Sequence, residues 1–331
     1  MTALAPLLQA FFTDRLVAQR GASPHTIAAY RDSFRLLLAY LDQHTGTPPS
    51  KLTLEDLDAA RLAAFLAHLE SERHNSVRTR NARLTAIHSF FRYAALRAPE
   101  RAEQIQRVLA IPDKRFDTTL IDYLTEPETN ALLASPDRST WTGRRDHTLL
   151  LLAVQTGLRA SELAGLRCQD IQLGTGASVR CQGKGRKQRA TPLTRLTRDV
   201  LAVWLRERDG QPADPLFPSR RGAHLTRGAI WRLVVKHAAT ARDRCPSLAA
   251  KNITPHGLRH TAAMRLLQAS PPVDPATIAL WLGHETLDST NKYLHADLEL
   301  KQRALDRTTH PDTKPGRYRP PDPLLAFLES L

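Results

Sequence analysis

Cysteine is scarce in this chain, which has three among 331 residues, at positions 168, 181 and 245. The number is odd and no two form a Cys-x-x-Cys pair, which argues against a disulfide framework and predicts reduced thiols in the cytoplasm. Long apolar runs are also missing. Near the N-terminus, Asp14 and Arg20 interrupt the apolar residues. We therefore predict neither a signal peptide nor a membrane span.

Acidic residues are too few to balance the basic ones, with 33 Asp and Glu against 47 Lys and Arg, a net charge of +14. This balance favours an anionic partner, most commonly nucleic acid, although a merely soluble basic protein remains the alternative. Arginine outnumbers lysine, which suits bidentate phosphate and guanine contacts. A P-loop is absent, because Gly183-Lys184-Gly185 lacks its spacing.

The length predicts about two domains. The first 110 residues predict four helices from their apolar spacing: one carrying Leu4 to Leu16, one opened by the cap Ser23 before Pro24, one after Thr53, and one from about Ser76 to Leu96. Between residues 111 and 123 the pattern fades and charges cluster, which indicates a linker.

The second half begins with a predicted capping box, Thr125 as the cap and Glu128 three residues later. A buried helix from Gly143 to Gln155 should end at Gly157. Two short strands, 178–182 and 188–193, should flank a hairpin tip at 183–187. We predict a mainly α fold with a small antiparallel sheet, and further helices at 194–208, 227–241, 256–268 and 275–282.

Six polar residues stand in short motifs that are spread through this half. Arg159 follows Thr156-Gly157-Leu158, and Lys184 lies between two glycines. His256 and Arg259 belong to Thr254-Pro255-His256-Gly257-Leu258-Arg259-His260. His284 follows in the motif Leu282-Gly283-His284, and Tyr293 in the motif Asn291-Lys292-Tyr293-Leu294-His295.

Taken together, these motifs resemble the tyrosine recombinase family (phage integrase, Xer-like), closely from about Leu124 to Leu305 and more loosely before. The resemblance implies two domains, an N-terminal helical, SAM-like core-binding domain that clamps DNA (1–110) and, after the linker 111–123, an α+β catalytic domain (124–310). Residues 311–331 form a proline-rich tail with an apolar end, which the resemblance suggests could dock on a neighbouring protomer.

A phosphodiester is anionic, and attack on it builds more charge on its nonbridging oxygens. Arg159 and Arg259 can offer fork-shaped donors to those oxygens. The resemblance assigns Tyr293 as the nucleophile. Because a free tyrosine has a pKa near 10, it needs a base or a strongly cationic site.

The remaining roles are also implied by the resemblance. His256 is the candidate base, His284 a donor to the phosphate, and Lys184 the acid that protonates the leaving 5′ oxygen. Glu162, one helical turn after Arg159, is expected to orient the site, with a surface ion pair as the alternative. His260 is expected to be a packing or supporting residue.

DNA contacts outside this set are expected from two basic groups. One lies at early exposed positions of the fourth helix, although a solvated helix face is the alternative. The other surrounds Lys184, where any neighbour could be a phosphate anchor instead of the acid. The two groups are Arg78, Arg80 and Arg83, and Arg186, Lys187 and Arg189.

The resemblance implies no metal and no ATP, because the phosphotyrosine bond conserves the energy of the cut strand. His256, His260, His284 and His295 could be interpreted as a zinc site, but the intervening Arg259 favours an anion. One departure from the family is the segment 269–274, Ala-Ser-Pro-Pro-Val-Asp, which replaces a glycine-bearing turn.

The predicted activity is site-specific recombination of double-stranded DNA through a 3′-phosphotyrosine and a Holliday junction. Four protomers would act on two duplexes, with a related recombinase as a possible partner, in the cytoplasm at the nucleoid. Integrase, transposase and chromosome-dimer resolvase all remain open. Two other classes also remain, a type IB topoisomerase and a catalytically silent DNA-binding regulator.

Overall fold

The computed structural model describes residues 2–116, 122–183, 188–284, 290 and 293. The chain divides into two compact units, Met1–Thr119 and Leu120–Leu331. Among the helices so described, none combines the length and apolarity needed to cross a membrane.

The first unit is helical. The first helix, Leu4–Ala10, continues directly into a π-helical stretch, Phe11–Gln19, and a fifth helix follows the four that the sequence predicts. The fifth helix was missed because it has only eight residues, two of which, Ile105 and Val108, face the core. The helices are α1 (Leu4–Ala10), α2 (Pro24–Thr45), α3 (Ala59–Ser71), α4 (Val77–Ala94) and α5 (Ala102–Leu109).

Local signals set the ends of α2, and aromatic packing holds it in place. The Ser23 hydroxyl accepts from the backbone N–H of Thr26, which confirms the predicted cap. At the other end Gly46 adopts φ 67°, a left-handed conformation that suits glycine. Inside the unit, the rings of Phe34 and Phe90 lie 5.3 Å apart, edge to face.

The segment after α5 is bound to α4 by side-chain contacts. Arg80, which we expected on the exposed face of α4, is instead 5% exposed. Its Nη1 donates to the carbonyl oxygen of Pro112 at 3.0 Å. Asn81 exchanges two hydrogen bonds with the backbone of Lys114. Arg80 is therefore buried in a contact that holds this segment. Of the other two DNA contacts expected on α4, Arg78 is exposed and Arg83 is half-buried.

The second unit contains seven α-helices and a sheet within its described residues. The capping box at Thr125 is confirmed, since Glu128 accepts from the Thr125 N–H at 2.8 Å. The elements are α6 (Glu126–Leu133), α7 (Trp141–Thr156), α8 (Ala160–Gly165), β1 (Ile171–Gln172), β2 (Ser178–Gln182), β3 (Gln188–Pro192), α9 (Arg195–Arg208), α10 (Arg227–Arg242), α11 (Pro255–Leu267) and α12 (Pro275–Leu282).

The sheet is antiparallel in the order β1-β2-β3. Cys181 on β2 pairs with Arg189 on β3, and Gln182 pairs with Gln188. Residues 184–187 of the predicted hairpin tip at 183–187 lie outside the described part of the chain.

Helix α7 is the centre of the second core. Its residues 149 to 154 are all buried, as their apolar run predicts, and the helix packs against α9 and α11. In the 269–274 turn, the Val273 N–H donates to the Leu266 carbonyl, and Asp274 then caps α12 through the Thr277 N–H. The family's glycine turn is thus replaced by a hydrogen-bonded turn that ends in a helix cap.

Candidate active site

Two glycines bring the ends of α7 and α12 together. Gly157 ends α7 with φ 66°, and a Cβ added there would lie 2.5 Å from Leu282 Cδ2. Gly283 ends α12 with the same φ of 66°. A side chain at Gly157 would separate these two helix ends, so glycine is required both for its conformation and for close approach.

Arg259 is buried beneath these helix ends, with 2% of its surface exposed. It lies in the first turns of α11, which Thr254 caps through the Gly257 N–H. Its guanidinium donates to the carbonyl of Gly157 at 2.8 Å and to that of Leu282 at 2.7 Å. Burial, followed by repulsion from Arg159, lowers the pKa of Arg259 to about 10.

Arg159 begins α8, directly after the turn at Gly157. Its Nη1 donates to Glu162 Oε1 and its Nη2 to the carbonyl of Gly283, each at 2.9 Å. About a third of the side chain, 32%, stays exposed. The last two carbonyls of the α12 end therefore fix one arginine each, Leu282 for Arg259 and Gly283 for Arg159.

Glu162 supports this arrangement and is itself buried, at 6% exposure. Arg189 donates from Nη1 to Oε1 and from Nη2 to Oε2, both at 2.8 Å. The Arg159 backbone N–H adds a bond at 2.7 Å. Burial alone would raise the pKa of Glu162, but the hydrogen bonds from Arg189 and Arg159 outweigh it and keep that pKa below its usual value.

The position of Arg189 corrects our expectation of an exposed phosphate anchor, because its side chain is only 13% exposed and is bound to Glu162. A Cβ on Gly283 would lie 2.9 Å from Arg189 Nη1, which shows how closely the guanidinium packs there. Strand alternation could have indicated this. Thr191, two residues later, is 1% exposed, so Arg189 shares the inward face of β3.

Tyr293 is 1% exposed, and its hydroxyl lies 2.9 Å from Nδ1 of His260. Burial raises the pKa of Tyr293 to about 12, although Arg259 and Arg159 act to lower it. His284 stacks on the tyrosine ring with centroids 6.2 Å apart. The sequence analysis expected a packing or supporting role for His260 and did not specify this contact.

The other two histidines lie at the edge of the cluster. His284 Nδ1 is 2.7 Å from the Thr290 hydroxyl. His256 is exposed, and its ring centroid lies 4.2 Å from that of His260, one helical turn away. The predicted base is thus next to the histidine that contacts the tyrosine hydroxyl.

Several predicted residues are not part of this cluster. Lys184, Arg186, Lys187 and His295 lie outside the described residues, as does the tail 311–331. Within the described ranges, no group of three or more His, Cys, Asp or Glu side chains could hold a metal ion.

The assembled cluster consists of two fixed guanidinium groups, three histidines and one buried phenol. Such an arrangement can neutralise the growing charge of a phosphoryl group while a hydroxyl attacks it. The cationic character comes from Arg159 and Arg259, and after burial the repulsion from Arg159 is the next cause that lowers the pKa of Arg259. An anion between them would remove that repulsion.

Comparison with known proteins agrees with this chemistry. The model of the phage integrase family matches residues 122–299, and that of the phage integrase N-terminal SAM-like domain matches residues 10–98. A Sinorhizobium fredii protein that bears the name integrase/recombinase y4rC is 55% identical over 99% of this chain and 98% of its own length. The tyrosine recombinase XerC of Pelobacter propionicus is 32% identical over 97% and 99%.

Solved structures share the fold. A XerH site-specific recombinase bound to its difH substrate, in a pre-cleavage complex, is 25% identical with a TM-score of 0.64, covering 87% of this chain and 81% of that one. The Tn1549 transposon integrase in complex with transposon right end DNA is 18% identical with a TM-score of 0.65, covering 93% and 99%, and supports the fold alone.

The family matches cover both units, and the motifs and the arginine and tyrosine cluster of the second unit agree with them. The chain belongs to the phage integrase family, the tyrosine recombinases, which break and rejoin DNA strands.

Proposed function

We propose that this recombinase cuts one strand at each of two specific double-stranded DNA sites, through a 3′-phosphotyrosine at Tyr293, and exchanges the strands through a Holliday junction. The observation that carries the proposal is the cluster itself. Arg159 and Arg259 are both fixed by backbone carbonyls at the α12 end, and both influence the pKa of the Tyr293 hydroxyl.

In this mechanism the two guanidinium groups bind the nonbridging oxygens of the scissile phosphate. Tyr293 forms the new O–P bond while His256, the proposed base, accepts its proton, and the P–O5′ bond breaks. We assign Lys184 as the acid for the leaving oxygen and His284 as a phosphate donor. Glu162 and Arg189 position Arg159. The cluster contributes mainly charge stabilisation and positioning, which supply most of the catalysis in phosphoryl transfer.

The nucleophile is tested by Tyr293→Phe. A suicide duplex, nicked near the cleavage point, traps the wild-type adduct, which is detected on a denaturing gel as a protein–DNA band. We expect the Phe variant to bind DNA and form no adduct. Equal trapping by that variant would refute the assignment of Tyr293.

DNA contacts and domain boundaries form a second part of the proposal. Residues 1–110 would be the core-binding domain, with Arg78 and Arg83 as candidate DNA contacts, and residues 124–310 the catalytic domain. Arg186 and Lys187 remain candidate phosphate anchors. The exposed position of Arg78 supports such a role. The free state of all three cysteines is in keeping with action on cytoplasmic, nucleoid DNA.

Four protomers on two duplexes are proposed as the active assembly, with the apolar end of the tail docking on a neighbouring protomer. Alone, such a short segment would be marginal as a helix in water. Deleting residues from Pro320 onward should leave single-site binding nearly intact and abolish the two-duplex complex. Native gel shifts with one and two sites measure both, and unchanged two-site assembly would rule out this role for the tail.

A further inference from the structure

We propose that Thr261 is a positioning residue for DNA cleavage, and that its buried hydroxyl fixes the turn of α11 from which Arg259 reaches the phosphate. This role rests on the proposed binding of the scissile phosphate by Arg259. The hydroxyl acts through the backbone of the helix and does not itself contact the DNA.

Thr261 is fully buried, at 0% exposure, and its hydroxyl makes two hydrogen bonds. The backbone N–H of Leu124 donates to Thr261 Oγ1 at 2.9 Å, and Oγ1 lies 3.0 Å from the carbonyl oxygen of Gly257, four residues earlier. Because an N–H can only donate, Oγ1 is the acceptor in the first bond, and its single hydrogen is left for the carbonyl. The hydroxyl is therefore held in one orientation by a group outside α11.

Gly257 is the weak point in the first turn of α11. Glycine loses more backbone freedom on folding than any other residue, so it weakens a helix. A Cβ built there would approach Thr254 Oγ1 to 3.8 Å, an ordinary contact, so a tight fit does not fix the turn. The Gly257 N–H donates to the Thr254 hydroxyl at 3.2 Å, and its carbonyl accepts from Thr261. Two threonine hydroxyls thus hold the glycine from both sides.

Arg259 needs a fixed turn because its two ends belong to different parts of the unit. Its backbone lies on α11, between Gly257 and Thr261. Its guanidinium binds the carbonyls of Gly157 and Leu282, at the ends of α7 and α12. A shift of the first turns of α11 would pull the guanidinium away from these carbonyls. A misplacement of about 1 Å can cost about 10²-fold in rate, even when its source lies far from the chemistry.

The group that orients Thr261 is itself firmly bound. Leu124 and the preceding Tyr123 stand where the predicted linker meets the catalytic domain, and we call these two residues the linker end. The Tyr123 carbonyl accepts from Lys251 Nζ at 2.8 Å, and Gln268 Nε2 donates to the Tyr123 hydroxyl at 3.3 Å. The linker end is thus tied to the segment before α11, to the middle of α11 and to the residue that ends it.

Three substitutions separate the hydroxyl from the space that it fills. Thr261→Val keeps the shape and removes both hydrogen bonds, whereas Thr261→Ser keeps the hydroxyl and loses a methyl group. Thr148→Val is the matched control. Thr148 on α7 is also buried, at 3% exposure, and its hydroxyl donates to the Arg144 carbonyl, four residues earlier, at 2.8 Å.

The first measurement is the single-turnover rate of adduct formation on the nicked suicide duplex at saturating DNA, with DNA affinity and thermal unfolding of the full chain. Both valine variants should melt at a lower temperature, because each loses a buried hydrogen bond. We expect Thr261→Val to form the adduct about 10- to 100-fold more slowly, with its DNA affinity nearly unchanged. Thr261→Ser should recover most of the rate, and Thr148→Val should match wild type.

A second duplex tests whether the effect passes through Arg259. It carries a methylphosphonate at the cleavage point, in which a methyl group replaces one charged nonbridging oxygen. Less charge then develops for a guanidinium to neutralise. On this duplex Thr261→Val should differ from wild type much less than on the ordinary one, as should Arg259→Ala. A loss of full size on the methylphosphonate would overturn the proposed route through Arg259.

Hydrogen exchange of the peptide 254–261 in the DNA-free protein measures the turn itself. We expect faster exchange in Thr261→Val than in wild type, Thr261→Ser or Thr148→Val, because the Gly257 carbonyl has lost its second donor. Exchange and cleavage rates equal to those of Thr148→Val would contradict a positioning role for Thr261.

Failure of the parent proposal would look different. If Arg259→Ala cleaved at the wild-type rate, Arg259 would not bind the scissile phosphate, and the role of Thr261 would fall with it. If Arg259→Ala were slow and Thr261→Val kept the wild-type rate, the assignment of Arg259 would stand and Thr261 would not position it.

Discussion

Arg259 in the second unit and Arg80 in the first are both buried arginines that donate to backbone carbonyls. They are 2% and 5% exposed. Arg80 binds the carbonyl of Pro112, and Asn81 beside it binds the same segment. Arg259 binds Gly157 and Leu282, and Arg159 and Glu162 both act on its pKa.

The difference lies in what surrounds each guanidinium. Arg80 has a structural role, and its hydrogen-bond partners are neutral. Burial and then repulsion from Arg159 lower the pKa of Arg259, and that repulsion is unfavourable until an anion binds. A buried arginine by itself thus indicates little about function, whereas a buried arginine paired with a second arginine beside a tyrosine indicates an anion site.

The largest expected effect comes from Arg259→Ala. Cleavage of the suicide duplex should slow by about 10²–10³-fold, the scale for the loss of one charge-stabilising donor. DNA binding in a filter assay should weaken much less, because many other cations contact phosphate. Arg80→Ala is the matched control and should cleave at the wild-type rate. Equal losses in the two variants would remove the distinction between them.

Arg189→Met should have the next largest effect. The substitution leaves Glu162 with only its bonds to Arg159. We expect the cleavage rate to fall by about 10- to 100-fold, because Arg159 is still present but is positioned less firmly. Arg180→Met, at an exposed position of β2, is the control. We expect Arg189→Lys to restore little, because lysine cannot make the bidentate pair. Wild-type cleavage by Arg189→Met would contradict the positioning role.

Arg80→Ala should reduce stability instead of chemistry. We expect the free energy of unfolding to fall by about 1–2 kcal/mol, because the Pro112 carbonyl loses a charged donor. Urea unfolding of the full chain measures this. Proteolysis near residues 112–116 should accelerate as that segment loosens. A variant that is as stable and protease-resistant as wild type would show that this contact is unimportant.

Arg78→Ala should have the smallest effect, confined to DNA affinity. Arg78 is exposed near the start of α4, with its guanidinium 4.9 Å from the Phe116 ring centroid. Loss of one phosphate contact should lower the slope of log affinity against log salt by about one. Single-turnover cleavage at saturating DNA should not change. An unaltered salt slope would place Arg78 outside the DNA contact surface.

The sequence by itself determined the features that depend on neighbours within one or two helical turns. The cap at Ser23, the capping box at Thr125 and the stop at Gly157 all formed as predicted, because each is satisfied by a backbone group a few residues away. The family motifs, and with them the enzyme class, were recognisable because their residue types and order are written in the chain.

Only the tertiary structure decided which side chains meet. His260 contacts the Tyr293 hydroxyl 33 residues away, Arg189 turns inward to Glu162 across 27 residues, and Arg80 is bound to a carbonyl 32 residues further along. All three side chains are polar enough to suit the surface, and among local signals only the strand alternation around Arg189 indicates burial. Groups from distant segments of the chain make these buried positions favourable, because a polar or charged side chain can be buried only where hydrogen-bonding or oppositely charged partners are present.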